Sequence, residues 1–255
     1  MNRIYAMGDI HGQLAMLRGA HALIEADRRA VGDSGAPVIH IGDLIDRGPD
    51  SRGVIQFLID GIAEGQDWIV LKGNHDRFFS LFLDDGATTD GRLRRGLSWL
   101  SSSMGGMETL ASYGIRRKFL ESEDTLLDRA RAAVPKAHID FIKGLPLYHE
   151  TETHLFVHAG IVPDVPLDQQ EEDNLIWIRD PFLYHLGDHP WLVVHGHTPI
   201  DAPEHYGNRV NLDTGAGYGE RLMPVVIEGD DIFVLDPDDG RVPILAPVGN
   251  MPHEG

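Results

Sequence analysis

Five short segments combine glycine with carboxylates, amides and imidazoles: Gly8-Asp9-Ile10-His11-Gly12, Gly42-Asp43-Leu44-Ile45-Asp46-Arg47-Gly48, Gly73-Asn74-His75-Asp76, His158-Ala159-Gly160 and His195-Gly196-His197-Thr198. Each follows a short apolar run, and such a run ended by glycine is the pattern of a buried strand emerging into a loop. Leaving that much polarity unpaired at five strand ends would be costly, so the clusters point to a common ligand. The donors are oxygen and imidazole without sulfur, because the chain has no cysteine. That set suits Mn²⁺, Fe or Zn²⁺ better than the all-oxygen shells of Ca²⁺ and Mg²⁺. One group of four donors would hold one ion; the larger set here points to two ions sharing a bridging carboxylate, about 3.5–4 Å apart. Such a pair lowers the pKa of a bridging water and clamps a phosphoryl oxygen, so that hydroxide can attack phosphorus in line. The leaving oxygen then needs a proton, which a nearby histidine can give. The equatorial oxygens need positive charge, for which arginine's planar fork is suited.

Strands must deliver these segments. Arg3 to Met7 reads as a first strand, and Leu14, Leu17, Ala20, Leu23 and Ile24 recur at helical spacing between Gln13 and about Ala30. Gly32 to Gly35 reads as a turn, and Pro37 to Ile41 as the strand leading into Gly42. Ser51 stands where an N-cap would begin a helix carrying Val54, Ile55, Leu58 and Ile59. A third strand, Trp68 to Leu71, delivers Lys72 to Asp76. This β-α-β-α-β order predicts an α/β protein with a largely parallel sheet flanked by helices, and ligands of such sheets bind beyond the carboxyl ends of the strands. Residues 84–136 loosen into glycine- and serine-rich sequence with short helical patterns around Met107 to Tyr113 and Thr125 to Val134, read as an inserted helical cap within one domain spanning 1–255. The second half is strand-rich, with Thr153 to Val157, Trp191 to Val194, Arg209 to Leu212, Leu222 to Glu228 and Ile232 to Leu235; the last two form a hairpin at Gly229-Asp230. Proline and glycine from Pro237 onward predict an extended tail over 237–255.

Composition narrows the partners. The formal net charge of −18 disfavours DNA or RNA, whose phosphates are held by Lys and Arg. Between Gly91 and Lys118, however, Arg92, Arg94, Arg95, Arg116, Arg117 and Lys118 face only Glu108. That run reads first as solvated helix and loop ends, with a docking surface for an anionic substrate as the sharper alternative. No apolar run approaches the roughly 20 residues of a membrane helix. With chemistry beginning at Gly8 there is no room for a cleavable signal peptide, and the expected location is the cytoplasm.

The five segments, with Gly196-His197-Thr198-Pro199 as the last, resemble the signatures of calcineurin-like metallophosphoesterases, and within them the compact bacterial and phage form of the phosphoprotein phosphatase family. The likeness runs from Gly8 to about Glu228. It implies a calcineurin-like fold, central β-sheets in a sandwich flanked by helices, and two divalent ions, with Mn²⁺ first and Fe or Zn²⁺ as alternatives. It assigns Asp9 and His11 to the first metal, Asp43 to both, and Asn74, His158 and His197 to the second. It makes His75 the general acid, held by Asp46, and makes Arg47 and Arg179 the phosphate clamps. Asp213, in Leu212-Asp213-Thr214-Gly215-Ala216, matches another recurrent segment and is given a structural role.

Departures from the family pattern sharpen the expectation. Asp76 stands where phosphoprotein phosphatases carry Glu, and Pro199 stands where nuclease and phosphodiesterase relatives carry a further histidine. The latter argues against a nuclease. His195 precedes the glycine where the family places other residues, and reads as a buried polar group outside the ligand set. The implied activity is a serine/threonine-type protein phosphatase acting on a phosphorylated protein, peptide or small phosphoester. The alternative is a symmetrical dinucleoside tetraphosphate hydrolase; such enzymes often replace the residues matching Asp46 and Thr198-Pro199, which this chain keeps. A non-catalytic scaffold would have lost ligands or the acid, and none is missing.

Overall fold

A computed structural model describes residues 3–33 and 35–247. In chain order the elements are β1 (Arg3–Met7), α1 (Leu14–Val31), β2 (Val38–His40), α2 (Ser51–Ala63), β3 (Trp68–Val70), α3 (Asn74–Asp85), α4 (Gly106–Ser112), α5 (Glu123–Ala133), α6 (Lys136–Gly144), β4 (Tyr148–Glu150), β5 (His154–Val157), α7 (Glu172–Trp177), α8 (Asp180–Leu183), β6 (Leu192–His195), β7 (Glu204–His205), β8 (Arg209–Asn211), β9 (Val225–Glu228), β10 (Asp231–Asp236) and β11 (Gly240–Pro243).

They build two sheets, the sandwich that the family resemblance implies, and the first half supplies the parallel part of one of them. The first runs β11-β10-β9-β1-β2-β3 and the second β4-β5-β6-β8-β7. The β-α-β-α-β portion is parallel, with Tyr5 opposite Val38 and Ile39 opposite Ile69. The β9–β10 hairpin joins it antiparallel through Ile4 and Ile227. Between the sheets lies one apolar layer, Ala6, Ile39, Ile41 and Leu71 from one side against Phe156, Val194, Val210 and Leu212 from the other. Alternation sends the opposite face of β1, Tyr5 and Met7, into a second layer beneath α1 and α2.

The tail expected from Pro237 is extended and in part paired: Val242 opposes Val234 as β11 closes the sheet edge. Residues 248–255 lie outside the described residues. Helix α2 is capped one residue earlier than expected. Asp50, not Ser51, accepts from the Gly53 amide at 2.8 Å, while the Ser51 hydroxyl is turned inward to the Asp46 amide. Within residues 84–136, Trp99, Leu110 and Leu126 belong to the same buried layer as Leu58 of α2 and Phe78 of α3. Nothing in that segment packs as a separate core.

Candidate metal centre and active site

The loops after β1, β2, β3, β5 and β6 converge at one end of the two sheets, and their backbones are held in unusual conformations. Among the described residues, seven non-glycine residues have positive φ. Five of them are His11 (47°), Asp43 (47°), Asp46 (73°), Arg47 (64°) and His197 (66°), all singled out from sequence. Such conformations cost about 1–3 kcal/mol each and persist where surrounding structure over-determines them. One tight approach shows how: a Cβ on Gly73 would stand 2.1 Å from Asp43 Oδ1, so only glycine lets β3's loop pass beside that carboxylate.

Asp43 is the hub. Its carboxylate belongs to two groups of donors, His11–Asp43–His75 and Asp43–His158–His197, in each of which the atoms lie within 4.8 Å of one another. His11 Nε2 is 3.6 Å and His158 Nε2 3.5 Å from its oxygens. The remaining expected ligands border the same space. Asp9 Oδ2 is 3.9 Å from His11 Nε2, and Asn74 Oδ1 is 3.1 Å from His158 Nε2. His75, expected to be an acid and not a ligand, also points Nε2 to within 4.0 Å of Asp43.

The imidazoles are set up as acceptors. His11 Nδ1 donates to the Ile45 carbonyl (2.9 Å) and His158 Nδ1 to the Ile41 carbonyl (3.0 Å), which leaves both Nε2 lone pairs facing Asp43. Arg47 Nη1 lies 2.8 Å from His11 Nε2 and Arg179 Nε 3.2 Å from His197 Nε2; guanidinium can only donate, so both ring nitrogens accept. Burial holds the pKa values of His11, His158 and His197 below the ordinary histidine range. The carboxylates respond differently to the same burial. Burial, with Asp213 and Asp43 nearby, pushes Asp9 well above the usual range, and burial pushes Asp213 up to about 6. Burial also pushes Asp43 upward, but the surrounding imidazoles, His158 foremost, outweigh it and hold Asp43 below the usual range. Neutral imidazoles and crowded, desolvated carboxylates converging on one space are a donor set that fits divalent cations.

A family model for calcineurin-like phosphoesterases matches residues 2–230. The chain belongs to this family. Among its relatives, the serine/threonine-protein phosphatase 1 of Salmonella typhimurium is 27% identical over 86% of this chain and 89% of that protein. The asymmetrical bis(5'-nucleosyl)-tetraphosphatase PrpE of Anoxybacillus flavithermus is 26% identical over 85% of this chain and 86% of that one. A cold-active protein-tyrosine phosphatase of a psychrophilic Shewanella species shares the fold, with a TM-score of 0.60 at 13% identity over 96% of this chain and 81% of that chain.

In this phosphoesterase a cavity of about 220 Å³ opens over the donor groups, lined by Asp9, Asp43, Asn74, His75 and His197, and by Arg47 and Arg179. Larger cavities of about 460 and 450 Å³ lie elsewhere, against Asp27 and Arg241 and beside Pro203, without such a set of donors. The arginine-rich run divides. Arg92 and Arg94 reach the cavity, and Arg92 is tied there by Asp173 (2.9 Å) beside Arg77. Arg116 and Arg117 lie on the loop before α5, where Arg117 faces Glu123.

Sequence reasoning missed several neighbours. Trp177 and Tyr218 also line the cavity, as does Asp213, the residue given a structural role from sequence. Tyr218 lies under the Arg47 guanidinium at 4.9 Å, a cation–π contact that limits its swing. Asp46 is held by Trp99 and Thr109 from the inserted segment as well as by His75. Trp99 and Gly105-Gly106 carried no chemical motif to mark them. Asp76 accepts from the Gly73 and Leu44 amides (2.8 and 3.0 Å), so the shorter acid in place of Glu ties two site loops together. His195 turns from the centre, with Arg209 Nη1 donating to its Nε2 at 3.1 Å.

Proposed function

We propose that this phosphoesterase holds two divalent ions on Asp9, His11, Asp43, Asn74, His158 and His197, with Mn²⁺ the first candidate and Fe or Zn²⁺ the alternatives. We further propose that it hydrolyses phosphomonoesters on serine or threonine of phosphorylated proteins or peptides. The ions would supply Lewis acidity, acidifying water and offsetting phosphoryl charge. Arg47 and Arg179, which line the cavity beside His11 and His197, grip the phosphoryl oxygens. His75, whose Nδ1 donates to Asp46 at 2.7 Å, delivers a proton from Nε2 to the leaving oxygen as the P–O bond breaks. Arg47 Nη2 donates to that Nε2 at 3.1 Å, so drawing the guanidinium onto phosphate frees the lone pair to take up from solvent the proton that the imidazolium then gives to the leaving oxygen.

The observation that carries the substrate class is the cavity itself. At about 220 Å³ it is smaller than the roughly 300–1,000 Å³ of pockets that enclose a drug-sized ligand, and suits a phosphoryl group with the substrate's body outside. A second reading has its own support. Relatives carry the name asymmetrical bis(5'-nucleosyl)-tetraphosphatase, where the sequence alone pointed to the symmetrical enzyme, and Arg92 and Arg94 lie where further phosphates of a polyphosphate chain would pass. Comparing kcat/KM on a phosphopeptide and on diadenosine tetraphosphate, with and without Mn²⁺, separates the two. A higher value on the phosphopeptide supports the first reading. Preferential release of ATP and AMP replaces it with the second. No metal-dependent turnover of either rejects both.

A further inference from the structure

We propose that Trp99 and Thr109 are positioning residues for the acid step, a role that brings the inserted segment into the proposed reaction. Asp46 is wholly buried, and both oxygens are committed. Thr109 Oγ1 donates to Oδ1 at 2.6 Å, while Trp99 Nε1 and His75 Nδ1 both donate to Oδ2 at 2.7 Å. The Asp46 amide in turn donates to Thr109 Oγ1 (2.9 Å) and Ser51 Oγ (3.1 Å), so the residue is gripped at backbone and side chain together.

The segment is packed to keep that geometry. Trp99 and Thr109 are fully buried. The Trp99 ring lies 5.0 Å from Phe82 and 6.1 Å from Phe79, both on α3, the helix whose first turn carries His75. One indole therefore contacts the helix that holds the imidazole and the carboxylate that orients it. Gly105 passes so close that a Cβ there would stand 2.1 Å from the Arg47 amide. With Asp46 unable to rotate, His75 keeps its proton on Nδ1 toward Asp46 and its Nε2 toward the cavity. In the proposed step that nitrogen first takes up a proton from solvent, giving an imidazolium balanced by the Asp46 carboxylate, and passes it to the departing oxygen as the P–O bond breaks, so the alcohol leaves and phosphate remains. Without Thr109, Oδ1 loses its side-chain donor, and without Trp99, Oδ2 is held by His75 alone; either loss gives Asp46 a rotational freedom that His75 must share.

This inference rests on His75 as proton donor, and the experiment separates the two claims. Trp99→Phe, Thr109→Val, Thr109→Ser and His75→Asn are assayed as Mn²⁺-loaded full-length protein on phenyl phosphate and on 2,4-dinitrophenyl phosphate, whose leaving group departs without a proton. General acid catalysis is worth about 10²–10⁴-fold, so partial misplacement in Trp99→Phe or Thr109→Val should lower kcat on phenyl phosphate by about 10-fold. On the dinitrophenyl ester the loss should be under about 2-fold, with KM and bound metal unchanged, because no proton is needed there. Thr109→Ser, which keeps the hydroxyl, should restore the leaving-group dependence of the unmodified protein. Equal losses on both esters, or none, would overturn the positioning role. If His75→Asn itself loses equally on both esters, the acid assignment fails as well. Should Trp99→Phe lose its fold by circular dichroism, the Val and Ser variants at position 109 decide the matter alone.

Discussion

Two sets of buried histidines in this protein differ in one respect that matters. His11 and His158 each donate Nδ1 to a loop carbonyl and turn Nε2 toward the Asp43 carboxylate. His21 of α1 and His40 of β2 are also buried, but their Nε2 atoms meet each other at 3.0 Å, beside Trp68. With His40 Nδ1 directed at the Ile69 carbonyl, His21 is the donor and His40 the acceptor, and the pair is complete. Burial pushes both sets to the neutral side, His40 to about 4. Neutrality and burial therefore do not make a ligand. What marks the first set as the proposed ligands is a lone pair left facing a carboxylate that other donors share.

The largest expected effect comes from breaking the first set at its hub. Asp43→Ala should lower kcat/KM by more than the 10–100-fold typical of losing an outer partner of a metal site, since one carboxylate serves both donor groups. A loss of 10-fold or less in steady-state assays would remove Asp43 from the centre.

The second set should show itself in stability. The folded pKa of His40 lies below the unfolded value, so the unfolded chain takes up its proton first as pH falls. Its contribution is complete above about pH 6.5, is lost progressively toward about pH 4, and changes no further below that. Urea unfolding should show stability falling on the order of a few kcal/mol over that range, with His21, held lower still by burial and by His40, adding to the fall and extending it below pH 4. The double variant His21→Phe/His40→Leu should flatten that dependence while leaving activity and metal content at pH 7 unchanged. Lost activity would mean that the two sets are not separate.

Smaller effects grade the arginines. Arg179→Ala removes a charge-assisted contact worth about 1.5–3 kcal/mol and should raise KM and the phosphate Ki together with little change in kcat. Arg94→Ala, at the exposed rim, should alter kcat/KM only a few-fold and in a salt-dependent manner. A salt-insensitive result would place Arg94 outside the substrate's path.

The donor loops were legible in the sequence because each is contiguous and follows its own strand. Asp43, Asp46 and Arg47 announce themselves within a few positions of β2. The two-sheet arrangement was less so, since β7 and β11 are short and the pairing of β8 with β6 is set by packing across the core. Trp99 and Thr109 were illegible for a simpler reason: they stand 53 and 63 positions from Asp46 and reach it through one indole N–H and one hydroxyl. Tryptophan in a buried layer reads as packing until its N–H is seen to have a destination. Ser51 misled for the related reason that a hydroxyl suited to capping a helix was needed by Asp46.

The most direct test of the central claim is the metal content of the purified protein after Mn²⁺ loading and removal of excess, measured on the unmodified chain and on Asp43→Ala. The account predicts two ions per chain in the first and loss of both in the second, with His21→Phe/His40→Leu retaining two. One ion in the unmodified protein, or two retained by Asp43→Ala, would contradict a centre organised around a shared carboxylate.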